Sequence, residues 1–134
     1  MKRVEIEKTV TYIIDEEARK VKAIIRDVKY DAINSIAKSF NDVNCQIIGP
    51  IENYYLNSTY TGVAICCDQD NFDVEVGKAI ARKRAIVKYN KAKINRLQKF
   101  YKDVNTIHET LSKTISYTEN KLNKISNEID KLEK

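Results

Sequence analysis

Between Ile94 and Leu132 the chain repeats apolar residues in alternating steps of three and four. The series is Ile94, Leu97, Tyr101, Val104, His108, Leu111, Ile115, Thr118, Leu122, Ile125, Ile129 and Leu132. All but His108 and Thr118 are apolar or aromatic, and a seam kept for about five heptads marks a helix that packs lengthwise on other helices. Upstream, Asp73 can cap a helix beginning at Val74, with Glu75 well placed against the helix dipole. No Gly or Pro follows Gly77. One helix over 74–134 would run about 90 Å at about 1.5 Å per residue, more than a small head can cover. The expectation is therefore self-association through Leu97, Tyr101, Val104, His108, Leu111, Ile115, Leu122, Ile125 and Ile129, or a reversal near Asn105-Thr106 or Ser116-Tyr117-Thr118. Phe100 and Ile107 sit beside the seam and widen it, which favours a bundle or docking on the head over a two-stranded zipper. His108 and Thr118 are polar seam positions of the kind that specify register.

The rest of the chain, 1–73, reads as a small α+β head, and 74–134 as the helical oligomerisation element. Val4, Ile6, Val10, Tyr12 and Ile14 alternate with polar residues, which predicts a strand with one buried face, interrupted at Lys8. A polar break at 15–19 and the apolar run Val21 to Ile25 complete a hairpin. Asp31 can cap a short helix carrying Ile33, Ile36, Ala37 and Phe40 and ending near Asn41. Runs Cys45 to Ile48 and Tyr60 to Cys67 read as two more strands. The expected order is ββαββ followed by a long helix.

Composition narrows the chemistry. With 134 residues, 43% hydrophobic, 32% charged, 3 Gly and 1 Pro, the chain suits one domain with an appendage and not a disordered or collagen-like chain. Turn residues are too few for an all-β sandwich. A single His and no Ser/His/Asp or Gly-rich signature point to a binding protein and not an enzyme, with no cofactor. Cys45, Cys66 and Cys67 make an odd set that suits buried free thiols in a reducing, cytoplasmic compartment. They lack zinc-ligand spacing. The stretch 68–73 resembles part of a calcium loop without its Gly or distal Glu, so a capped polar loop is expected and no metal site. No signal peptide or membrane-spanning run is apparent, and no membrane partner is expected.

Charge is divided. Residues 1–73 carry 9 Lys and Arg against 12 Asp and Glu, whereas 74–134 carry 15 against 7. No acid lies between Glu75 and Asp103. A basic helix entering a coiled coil is one way to bind nucleic acid, but the seam here already begins within the basic stretch, unlike a leucine-zipper basic region. Non-specific phosphate attraction is the nucleic-acid reading that stands, beside a merely solvated helix face. A further reading joins Arg forks to aromatic rings: Arg26, Arg82 and Arg84 gripping phosphates, Phe72 stacking on a base and Tyr30 nearby would suit a small nucleotide.

The segment Cys66-Cys67-Asp68-Gln69-Asp70-Asn71-Phe72-Asp73-Val74-Glu75-Val76-Gly77, with Ala81 and Arg84-Ala85, resembles the pattern C-x-x-x-D-x-F-D-x-x-x-G-x-x-x-A-x-x-R-A of small phage and prophage proteins of low-GC Gram-positive bacteria. Lys29-Tyr30-Asp31-Ala32-Ile33 and the upstream hairpin look similar too, so the likeness covers roughly the first 85 residues. Proteins of comparable build include the Thoeris anti-defence sponges, which hold cyclic ADP-ribose-type signals without cleaving them. The resemblance implies a counter-defence protein in the host cytoplasm that sequesters a nucleotide-derived signal, cyclic ADP-ribose-type or a cyclic oligonucleotide, at protomer interfaces. Two alternatives follow: a protein-directed inhibitor of a defence enzyme such as a CRISPR nuclease, and a basic coiled-coil nucleic-acid-binding protein.

Overall fold

The computed structural model describes residues 2–40 and 50–133. The chain is α+β: an antiparallel four-stranded sheet in the order β1-β2-β3-β4, a short helix and a long one. The strands are β1 (Lys2–Glu7), β2 (Val10–Asp15), β3 (Lys20–Ile25) and β4 (Tyr60–Ile65); the helices are α1 (Asp31–Phe40) and α2 (Val74–Glu133). A short 3-10 turn occupies Ile51–Tyr54. The order among the described residues is βββαβα, so the expected single strand over residues 4–14 is two strands. The run Cys45 to Ile48 lies outside the described residues. The chain consists of two compact units, Met1–Lys99 and Phe100–Lys134.

A two-residue turn at Lys8 and Thr9 separates β1 from β2, and Lys8 turns the chain with φ of 56°. That turn has a consequence for the faces. Val4 pairs with Ile13 and Ile6 with Thr11. Partners across a ladder share a face, and neighbours along a strand do not. Val4 and Ile6 therefore lie on the face opposite Tyr12 and Ile14, which corrects the expectation of one shared buried face.

The core sits between the other face and the first turns of α2. Tyr12, Ile14, Val21, Ala23, Ala64 and Ala81 form one buried cluster, and Ile25, Val28 and Ala85 form a second, bordered by Tyr60 and Tyr89. The approach is close because the residues at the crossing are small. A Cβ on Gly62 would stand 2.1 Å from the Ala81 carbonyl oxygen and 2.4 Å from the Ala85 amide nitrogen. One on Gly77 would meet Val21 Cγ2 at 2.8 Å. Gly77, Ala81 and Ala85, one turn apart, thus form a smooth ridge against the sheet.

β1 gives this core nothing apolar. Its inward positions are Arg3, Glu5 and Glu7, and it is tied to α2 by Lys78, which donates to Glu5 Oε2 at 2.7 Å and Glu7 Oε1 at 2.5 Å. The Lys78 side chain is only 7% exposed and lies 4.9 Å from the centre of the Tyr12 ring. Two carboxylates hold its ammonium well above the ordinary lysine range, and Lys78 in turn lowers the Glu5 carboxyl.

α1 begins at Asp31 and buries Ala32 and Ile36, one turn apart; Ile33 is half-buried and Ala37 exposed, so its buried stripe is narrower than expected. The Tyr89 hydroxyl donates to Asp31 Oδ2 at 2.6 Å, and burial together with that carboxylate pushes the phenol up to about 12. Arg96 Nε donates to the Tyr55 carbonyl at 2.9 Å, securing the stretch that carries buried Tyr54 and Leu56.

The start of α2 is as expected: Asp73 Oδ1 accepts from the amides of Glu75 at 3.0 Å and Val76 at 3.3 Å. α2 stays helical through Asn105-Thr106 and Ser116-Tyr117-Thr118, so the chain does not reverse at either place. No helix among the described residues is long and apolar enough to cross a membrane.

Candidate functional site

The five residues expected to form a nucleotide pocket do not converge. Arg26 follows β3 at the end of the sheet where Ile25 pairs with Tyr60, and Tyr30 lies just beyond. Phe72 follows β4 at the other end, where Lys20 pairs with Ile65. Five strand steps, about 17 Å, separate those ends. Arg26 is used locally: its amide donates to the Thr9 carbonyl at 3.2 Å and Nη2 to the Lys8 carbonyl at 3.4 Å. Tyr30 is half-exposed and stands edge-on to Tyr55, ring centres 5.2 Å apart. Arg84 Nη1 donates to the Val63 carbonyl at 2.7 Å, along the β4 edge. Arg82 is exposed, and its charge reaches toward Tyr12, where it opposes the upward push of burial on that phenol.

Phe72 does border a cavity, of about 250 Å³, between β4 and the start of α2. Its walls include Ile65, Val76 and Ile80, and its polar rim is Cys66, Asp70, Asn71 and Asp73. No cation lines it. A phosphate would meet carboxylates there, so the cavity does not suit the anionic ligand expected of Phe72.

The motif residues instead have structural work. Cys66 accepts from Arg19 Nη2 at 3.3 Å; the same guanidinium donates to the carbonyls of Cys67 and Asp70, drawing the loop onto the β2–β3 turn. Cys66 is half-buried and Cys67 exposed, which corrects the expectation of buried thiols; Cys45 lies outside the described residues. Phe72 packs on the first buried cluster, Asp73 caps α2, and Gly77, Ala81 and Ala85 form the ridge. Among the described residues no group of His, Cys, Asp and Glu is arranged to hold a metal.

Two surfaces remain. The first is the sheet face away from α2. Its ladder rows are Lys2, Asp15, Lys20 and Ile65; then Val4, Ile13, Lys22 and Val63; then Ile6, Thr11, Ile24 and Thr61. Val4, Ile6 and Ile65 are more than 60% exposed, and among the described residues no buried cluster lies on this side. A shallow depression of about 190 Å³ opens among Lys2, Ile13, Asp15, Lys20 and Lys22. Sequence reasoning missed this face because the apolar residues of 4–14 keep to even positions on both sides of the interruption at Lys8, and the turn there is not signalled by Gly or Asn.

The second surface is the seam within the unit 100–134. Tyr101, Leu111, Ile115, Leu122, Ile125, Ile129 and Leu132 are all exposed. Thr118 is satisfied within its own helix, its hydroxyl donating to the Thr114 carbonyl at 2.8 Å. Val104 is half-buried and His108 exposed; Leu97 belongs to the first unit, where it is half-buried. No protein-family model, curated protein or solved structure matches the chain.

Proposed function

We propose that the chain is a non-enzymatic binding protein that works as an assembly of copies, gathered through the seam of α2 and each presenting one head. The observation that carries this reading is the run of exposed Leu and Ile at heptad spacing from Leu111 to Leu132. An isolated helix with such a stripe gains little from remaining alone in water, whereas a partner helix removes it from solvent. Repetition of heads then raises the apparent affinity for a target that several of them reach at once. Sedimentation velocity tests the reading: the native chain should run as an oligomer and Leu122→Glu/Ile125→Glu as a monomer. A native chain that is monomeric at tens of micromolar would sink it.

For the target, the head favours a protein over a nucleotide. Among the described residues no cation lines the cavity beside Phe72, and Arg26 and Tyr30 lie at the far end of the sheet. Sequestering a nucleotide-derived signal would need basic groups from another protomer. Mass spectrometry of small molecules released on heating separates the two: a sponge releases a nucleotide, a protein-directed inhibitor none. The counter-defence role in a host cytoplasm is a proposal that rests on the phage-protein resemblance. The nucleic-acid reading draws on the exposed Arg82, Lys83, Arg84, Lys88 and Lys91 and predicts a gel shift that falls steeply with salt.

A further inference from the structure

We propose that the open face of the sheet is the target-binding surface, and that it takes an acidic segment of another protein, apolar along its centre and carboxylate-bearing at its margin. This rests on reading the chain as a binding protein and adds the surface and the chemistry of the partner. β1 supplies the first argument. A strand at a sheet edge ordinarily turns its apolar residues to the core, yet β1 turns Arg3, Glu5 and Glu7 toward α2 and shows Val4 and Ile6, 61% and 63% exposed, on the open side. With Ile13, Ile24 and Val63 they form a largely apolar band across the four strands, interrupted by Lys22 in one row and by Thr11 and Thr61 in the other.

Charge supplies the second. Lys2 and Lys20 stand in the row at one end of the band and Lys22 in the next row, between Ile13 and Val63; the three form no ion pair among the described residues. The acid beside them, Asp15, accepts from the Ala18 amide at 3.1 Å to hold the β2–β3 turn. Three ammonium groups round a depression next to Ile13 ask for carboxylates. A second copy of the same face would bring lysines against lysines. Single-stranded nucleic acid needs aromatic platforms for its bases, and the band offers Val, Ile and Thr. A membrane surface is ordinarily gripped through Trp, Phe or Leu, which this face lacks.

Selection from a random peptide display library against the immobilised full chain tests the proposal. Enriched peptides should combine branched or aromatic apolar residues with Asp and Glu. Their binding should fall at least tenfold in Lys20→Glu/Lys22→Glu and in Val4→Lys/Ile6→Lys. The second pair alters side chains already in water, so a folding defect is not expected, and circular dichroism checks it. Enrichment of basic or uncharged peptides, no enrichment, or binding that survives both pairs would overturn the proposal. So would binding of anionic vesicles or duplex DNA that the same substitutions abolish, or a drop in assembly mass for Val4→Lys/Ile6→Lys, which would give the face to lipid, nucleic acid or a second copy. Sedimentation judges the assembly by itself, so failure here leaves that reading standing, and the reverse.

Discussion

Lys8 and Gly62 lie at opposite ends of a range of backbone constraint. Lys8 holds φ of 56°, a conformation that costs a side-chain-bearing residue about 1–2 kcal/mol, whereas glycine adopts it freely. Lys8→Gly should therefore stabilise the head, by about 0.5 kcal/mol once the added freedom of the unfolded chain is subtracted. Urea denaturation measures it, and a loss of stability would show that the lysine side chain has a role at the turn. At Gly62 the obstacle is backbone and cannot step aside. Gly62→Ala should cost about 3 kcal/mol or more, seen as a lower melting temperature and weakened near-ultraviolet dichroism. A melting temperature unchanged within a degree would mean that α2 does not approach the sheet as described.

Among the elements, β1 and α2 are joined by charge where the other strands are joined to α2 by apolar packing. Glu5 has a carboxyl pKa lowered by Lys78, so the folded state binds its proton less readily than the unfolded state. The stability it contributes is full above the ordinary carboxylate value of 4.5 and is lost as pH falls through the lower folded value. Glu5→Gln should reduce stability at pH 7 and flatten its decline between about pH 5 and 3; denaturation midpoints across that range decide it, and an unchanged slope would refute the assignment. How far elements were readable from sequence follows from the same residues. The start of α2 was legible because Asp73 caps it by a local side-chain rule. Strand β4 and helix α1 were legible from their apolar runs. The β1–β2 turn was not. Lys8 and Thr9 are poor turn residues, and a two-residue turn pairs even with odd positions, so apolar residues that keep to even positions on both sides of it pass from one face to the other unseen.

On the scale of the whole molecule, the seam was the most readable feature because it depends on spacing alone, while the candidate binding face was the least. A face becomes visible only once register is known, and the same holds for the expected arginine-rich pocket: only the register shows that Arg26 and Tyr30 lie at one end of the sheet and Phe72 beyond the other. Two quantities should then vary independently. Raising protein concentration should raise the melting temperature of the assembled chain, by mass action, and not that of Leu122→Glu/Ile125→Glu. Thermal scans at several concentrations check this, and equal dependence in both would remove the seam from the assembly.

The smooth ridge of Gly77, Ala81 and Ala85 against Gly62 leaves those positions little room to change, whereas Val4, Ile6, Lys20 and Ile65 contribute nothing to it. Descendants of this chain could exchange the second set freely while keeping the first. The head is then a frame whose open face can change in sequence without a folding penalty.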